Sequence, residues 1–394
     1  MKINILLFLF LFAFTSMFAQ KGKVTSALGF KEAGRLDEAL AVIEGAIDGN
    51  NAKAKSSIEW PRTWEVRGEI FQAIFQSKDE NYRKLHVDPL AEAFRSYQKA
   101  IELDDKDRFS KSIRIKLTLL IGDFINQAEA SFNSQNYEKA LGSFEKVLEI
   151  ENTPVFLEES PATVDTAIIY NAALSAYSAK KFVKAIALFK KVAAYKYNGA
   201  ATYEKLSESY LGIKDTTGAI EIMHEGLEEY PANSLILTKL INIYEKTNKV
   251  EEAIKYMDLA ISNEPDNESF YLYQGFLFER MNNIEGAIKS YQKAIELKFN
   301  SFDALFNLGL VYYNRGVKQV DVANAVPGNQ TDKYELERNK ADLEFKKALP
   351  YFEKAYEING RNNSLLEALK NVYYRLQMRD RYDTLIEKIN LTNQ

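Results

Sequence analysis

The chain has 394 residues, which excludes one small domain and suits several domains or one elongated array. Lys and Arg number 51 against 55 Asp and Glu, a net charge of −4, and counterion release on nucleic acid needs a clear excess of cations. The absence of cysteine excludes disulfides, thiolate metal sites, cysteine nucleophiles and lipidated cysteines, while 46% apolar residues with only 8 Pro and 18 Gly describe a folded, helix-rich chain.

In chain order, Met1 and Lys2 precede an apolar run from Ile3 to Phe14 and a polar exit through Thr15 and Ser16 to Ala19. This is the layout of a secretory signal peptide over 1–19, with cleavage expected after Ala19. Ile3 to Ala19 is 17 residues, the bottom of the spanning range, so an uncleaved anchor is the alternative reading. The expected location is therefore exported, periplasmic or secreted, with no integral span once the leader is removed.

Beyond the leader a period of 34 residues takes over. Ala185, Ala219, Ala253 and Ala287 are spaced by 34, and Tyr210, Tyr244, Phe278 and Tyr312 keep the same interval. Four places after each alanine stands a bulky residue (Phe189, Met223, Met257, Tyr291), and seven places after it a small or β-branched one (Val192, Gly226, Ala260, Ala294). Positions i, i+4 and i+7 share one helical face, so each segment reads as an amphipathic helix with small residues at its closest contacts. Twelve places before each alanine, in a preceding helix, stand Ala173, Ser207, Ile241 and Gly275; Pro231 and Pro265 mark helix boundaries twelve places after.

Three stretches break the interval. Gly68 to Ala93 is 25 residues where 12 are expected, placing an insertion at Gln76 to Asp88. Ala140 to Ala185 is 45 residues and contains Pro154 and Pro161, read as a structured loop between repeats. Gly309 to Ala348 is 39 residues, read as a lengthened helical hairpin inserted at about 317–341, turning at Pro327-Gly328, with a kink expected at Pro350.

These residues resemble the tetratricopeptide repeat family, whose 34-residue pattern places small and aromatic residues in this order. Residues 268–301 match through Gly275, Phe278, Ala287, Tyr291 and Ala294, and residues 61–106 through Trp64, Gly68, Phe71, Ala93, Tyr97 and Ala100. The resemblance implies an all-α fold, a right-handed α-solenoid of helix-turn-helix repeats over 20–394. The repeats fall near 20–53, 61–106, 112–153, 166–199, 200–233, 234–267, 268–301 and 302–361, with terminal capping helices at 363–394.

In this family the inner helix of each pair lines a concave groove that usually binds a peptide or partner helix. Carried over by register, the groove-facing candidates are Tyr170, Asn171, Thr238 and Asn242, then Tyr273 and Phe276, then Phe306, Asn307, Leu310, Tyr313 and Asn314. The family's chaperone-binding clamp needs a lysine and an asparagine four places apart on the first inner helix; Val24 and Leu28, Glu65 and Glu69, or Tyr170 and Leu174 stand there instead.

No catalytic, metal or cofactor motif is legible. His86 and His224 are the only histidines, no two glycines are two apart, and Gly45 and Gly49 enclose Ile47 rather than a serine. The expectation is a non-catalytic interaction scaffold of the bacterial cell envelope with a protein or peptide partner and no nucleic acid. A carbohydrate or surface-binding module, or an accessory subunit of an envelope hydrolase, are the alternatives.

Overall fold

The computed structural model describes residues 21–51, 54–157 and 165–392, and the expected leader over 1–19 and Pro161 lie outside them. Among the described residues the regular structure is all helix, joined by turns, without a strand. They divide into two compact units, one taking the chain up to Asn198 with Glu208–Lys214, the other Gly199–Ser207 with the chain from Asp215 onward.

The first unit holds α1 (21–32), α2 (Leu36–Ala46), α3 (Lys55–Ile58), α4 (Pro61–Gln76), α5 (Glu80–Arg83), α6 (Pro89–Glu102) and α7 (Ser110–Asn133). It continues with α8 (Tyr137–Glu151), α9 (Pro154–Leu157), α10 (Thr166–Ser178) and α11 (Phe182–Ala194). Next comes α12 (Ala200–Gly212), whose residues are shared between the units. The second unit holds α13 (Thr216–Glu229), α14 (Ser234–Lys246), α15 (Val250–Asn263), α16 (Glu268–Arg280), α17 (Ile284–Leu297), α18 (Phe302–Asn324), α19 (Thr331–Ile358), α20 (Asn363–Arg375) and α21 (Arg379–Thr392). Within each unit the long helices pack on their sequence neighbours as stacked pairs, the arrangement of an α-solenoid.

Local chemistry explains where each helix stops. Asp165, Asp215, Asn233, Asn267, Asn283, Ser301 and Asn362 cap helix N-termini by accepting backbone N–H bonds. The turn inside each pair closes on a residue with positive φ, and Lys180, Lys214, Asn248 and Asn282 take that place at intervals of 34. The following N–H reaches back to the helix, Lys181 to Ala176 O, Lys249 to Tyr244 O and Asn283 to Phe278 O, each at 2.8 Å, the geometry of a Schellman turn.

Ala185, Ala219, Ala253 and Ala287 are fully buried, as the helical face requires. The glycines on the preceding helices, twelve places before Ala287 and farther before Ala93 and Ala348, are explained by rings. An added Cβ on Gly275 would fall 2.5 Å from the Tyr291 ring, one on Gly309 2.5 Å from the Phe352 ring, and one on Gly68 would collide with the Tyr97 ring. Each ring lies flat on a helix that has nothing but hydrogen to offer there.

The insertions acquire definite structure. The Gln76–Asp88 stretch begins in the last residue of α4 and contains α5. The inter-repeat stretch contributes α9. The longest insertion lengthens α18 to 23 residues and α19 to 28, with residues 325–330 between them and Pro350 inside the continuous α19. The two helices stay paired because small residues recur every two turns along α18 at Gly309, Gly316 and Ala323. Phe352 covers the first and Phe345 the second, at 2.9 Å from an added Cβ, while Ala323 and Ala341 are buried farther out.

Candidate partner-binding surface

The candidate surface is formed by inner-helix residues around the ring-covered position, including those three places before it and one, four and five places after. In the second unit this surface is aromatic. Tyr273 stacks on Phe276 with ring centroids 5.7 Å apart, and its hydroxyl donates to Asn242 Oδ1 at 3.4 Å across to α14. Arg280 extends the link, pairing with Glu245 and donating to Asn248 Oδ1 at 3.1 Å. Phe276 remains 40% exposed, and Thr238 and Asn314 are exposed as well.

Farther along, packing claims more of the predicted residues. Phe306 stacks on Phe302 at 5.7 Å and leans on Phe352; Tyr313 sits between Phe345 and Phe352 and accepts from Asn371 Nδ2 at 3.3 Å. Leu310 joins the same cluster, and Asn307 is half-buried. Three of the predicted residues thus support the hairpin with one side and offer only an edge to a partner.

In the first unit Tyr170 rests edge-on against Phe189 at 5.8 Å and near Tyr197 at 5.7 Å. Asn171 lines a hollow of about 280 Å³ whose other walls are Glu129, Phe132, Asn133, Phe144 and Leu174. Glu129, Phe132 and Asn133 escaped the sequence reading, although they lie one, four and five places after Ala128 just as Phe276, Glu279 and Arg280 follow Gly275. The weak repeat signature of α7, drawn out to 24 residues, hid that register.

The neighbouring seam between α1, α4 and α7 is charged and closed. Glu65 is fully buried, paired with Arg62 at 2.5 Å and accepting from the Ser112 hydroxyl. Glu69 meets Lys31 at 2.5 Å and Lys116 at 2.9 Å. Burial pushes the Glu69 carboxyl up, but hydrogen bonds and charge from the two lysines outweigh it and hold the group below its ordinary value. Asp123 accepts from Gln72 at 2.5 Å and from Gln76 at 2.9 Å, and Tyr97 donates to Gln72 Oε1 at 3.0 Å. Every one of these carboxylates is already engaged.

The histidines serve packing. His86 lies edge-on to Phe71 at 5.1 Å, and His224 sits between the Tyr244 and Tyr256 hydroxyls at 3.1 and 3.3 Å. Among the described residues no group of three or more His, Asp or Glu side chains is placed to hold a metal ion, and no helix is long and apolar enough to cross a membrane. A cavity of about 690 Å³ is lined by residues of α7, α8, α9, α10 and α11, together with Asp165 and Tyr195.

Stacked antiparallel helix pairs with a 34-residue interval and small-on-ring crossings define a helical repeat protein of the solenoid class. Residues 210–273 match the tetratricopeptide repeat model and residues 277–316 the TPR repeat model. These two stretches carry tetratricopeptide repeats, and proteins built on such repeats generally mediate protein–protein interaction. The chain is similar to the TPR repeat-containing protein MJ1428 of Methanocaldococcus jannaschii, 29% identical over 121 residues, 30% of this chain and 21% of that one. It is also similar to anaphase-promoting complex subunit 3 of Schizosaccharomyces pombe, 23% identical over 261 residues, 64% of this chain and 33% of that one. The matches therefore span about a fifth and a third of the length of these curated relatives. A crystal structure of a TPR repeats protein from Bacteroides fragilis NCTC 9343 is 23% identical, covering 64% of this chain and 98% of that one with a TM-score of 0.33.

Proposed function

We propose that the chain is an exported, non-catalytic scaffold of the bacterial cell envelope that holds a peptide or helix of a partner protein on the inner face of its repeats. The leader-like sequence over 1–19 supports export. The observation that carries the binding reading is the hollow at Asn171, where the amides of Asn133 and Asn171 share the lining with the apolar side chains of Phe132, Phe144 and Leu174. An amide can donate to and accept from a peptide main chain while the apolar lining takes a side chain, which is how extended segments are recognised. The exposed stack of Tyr273 and Phe276 gives the second unit a comparable anchor.

The test is a quantitative capture comparison from native envelopes using the full chain, Asn133→Ala plus Asn171→Ala, and Tyr273→Ala plus Phe276→Ala. Proteins recovered by the wild type should drop at least tenfold with one of the double variants while the melting temperature holds. Equal recovery by all three proteins sinks the inner-face reading. Export is tested separately: a mature N-terminus other than Gln20 in the envelope fraction, or retention in the cytosol, contradicts it.

A further inference from the structure

Helix α7 divides its surface into sectors. Ile113, Leu117, Leu120, Phe124, Ala128 and Ser131 are buried at helical spacing on one side, and the helix packs on α6 and α8. A polar edge meets α4 through Ser112, Lys116 and Asp123. Phe132 turns to the hollow shared with α10. Arg114 and Ile121 face the 690 Å³ cavity, and a further sector is Ile115, Leu119, Gly122, Asn126, Glu129 and Asn133, at i, i+4, i+7, i+11, i+14 and i+18, all exposed.

The chemistry of this strip changes along its length. Ile115 and Leu119 are 58% and 59% exposed, an aliphatic pair left in water. Gly122 follows, where an added Cβ meets nothing within 4 Å, so no internal contact asks for glycine at a place where it costs the helix about 0.5–1 kcal/mol. At the far end Glu129 stands between the Asn126 and Asn133 amides at the edge of the hollow, whose lining holds no cation. Unlike Glu65 and Glu69, Glu129 has no ion-pair or hydrogen-bond partner among the described residues.

We propose that this strip is a track for an extended partner segment that places an aliphatic side chain over Ile115 and Leu119 and a basic side chain against Glu129. The inference rests on the inner-face reading above and specifies the occupant. An uncompensated carboxylate covered by a neutral ligand would lose its hydration without return, whereas a guanidinium pairs with it through two parallel hydrogen bonds. An extended segment fits better than a helix, because the asparagine amides need free main-chain groups and a helix has spent its own. Gly122 leaves room for that main chain to approach the helix closely. From Leu119 to Glu129 is ten residues, about 15 Å along the helix axis, or between four and five residues of extended chain at roughly 3.3 Å each.

The probes are fluorescein-labelled peptides Ser-Leu-Ser-Thr-Gly-Ser-Arg-Ser, the same with Glu for Arg, and the same with Ser for Leu, read by anisotropy on the full chain. The Arg peptide should bind at least tenfold more tightly than the Glu peptide and at least threefold more tightly than the one lacking Leu. Glu129→Arg should reverse the charge preference, and Gly122→Val should weaken the Arg peptide at least fivefold with the melting temperature unchanged within a few degrees. Equal binding of Arg and Glu peptides, a preference that survives Glu129→Arg, or no binding by any member overturns the track. The capture comparison, which uses native partners, judges the inner-face reading independently of these peptides.

Discussion

The crossing in α4 and the crossings in α16 and α18 share one skeleton and carry opposite chemistry. Each has a glycine under a ring from the paired helix: Gly68 under Tyr97, Gly275 under Tyr291, Gly309 under Phe352. Three places before and one place after the glycine stand Glu65 and Glu69 in the first unit, but Leu272 and Phe276, then Phe306 and Leu310, in the second. Close backbone approach is thus fixed by the glycine and ring, and the flanking positions are free to become either a salt-bridged seam or an aromatic surface. The residue four places after the glycine follows the ring. Tyr97 donates to Gln72 and Tyr291 to Glu279 at 2.5 Å, and where the hydroxyl is missing at Phe352, the corresponding place holds Tyr313 as a ring contact. A buried phenol needs an acceptor; a buried phenyl needs a hydrophobe.

The comparison is broken most severely at Glu65. Glu65→Ala removes a fully buried carboxylate and strands Arg62 and Ser112, with an expected loss of about 3–5 kcal/mol in urea denaturation. The half-buried Leu272, three places before Gly275, should cost only about 1–2 kcal/mol as Leu272→Ala. Equal losses would mean the charged seam is no more demanding than the apolar one. Next in size are the crossings themselves: Gly275→Ala and Ala287→Leu each force a ring or helix aside and should cost on the order of 1–3 kcal/mol.

The two seams also titrate in opposite directions. Glu69 is held below its ordinary value, so its contribution is present above the unfolded-state pKa, near 4.5, and is lost as pH falls through the lower folded value. Glu279 is pushed up by burial, partly offset by the bond from Tyr291, so the folded state retains a proton that the unfolded chain gives up; its contribution declines as pH rises above about 4.5. The stability gap between wild type and Glu69→Gln should therefore shrink on acidification below about 4.5, and Glu279→Gln should gain on the wild type as pH rises above it. Parallel pH profiles for the two variants would contradict the opposed shifts. Tyr373, buried and donating to Glu353, is pushed up to about 12 and should stay protonated through an alkaline absorbance titration that ionises the exposed tyrosines.

Much of the helical packing was legible because the interval of Ala185, Ala219, Ala253 and Ala287 records a contact that every pair must make. The turn residues Lys180, Lys214, Asn248 and Asn282 keep the same interval but carry no glycine, so composition gave no warning of their positive φ. In the long hairpin the break at Pro327-Gly328 was visible, whereas Gly316 under Phe345 was not, because its partner lies 29 residues away and outside the 34-residue frame. On the inner face, register alone picks outward positions but cannot tell Phe276, which stays open, from Phe306, which Phe302 and Phe352 enclose. The hollow at Glu129 and Asn133 was lost for the reverse reason: register pointed there, and the blurred start of α7 concealed it.

The smallest expected effect separates the two kinds of glycine. Gly68 and Gly122 both lie inside long helices, yet one is covered by Tyr97 and the other meets open space. In an exposed helix interior, replacing glycine by alanine removes backbone freedom from the unfolded chain and stabilises by about 0.5–1 kcal/mol. Gly122→Ala should raise the unfolding free energy by that amount and so raise the urea midpoint, whereas Gly68→Ala should lower it, and the two midpoints should move in opposite directions under identical conditions. If Gly122→Ala also lowered the midpoint, the strip on α7 would be packed against something in the folded chain, and it would have no room left for a partner's main chain.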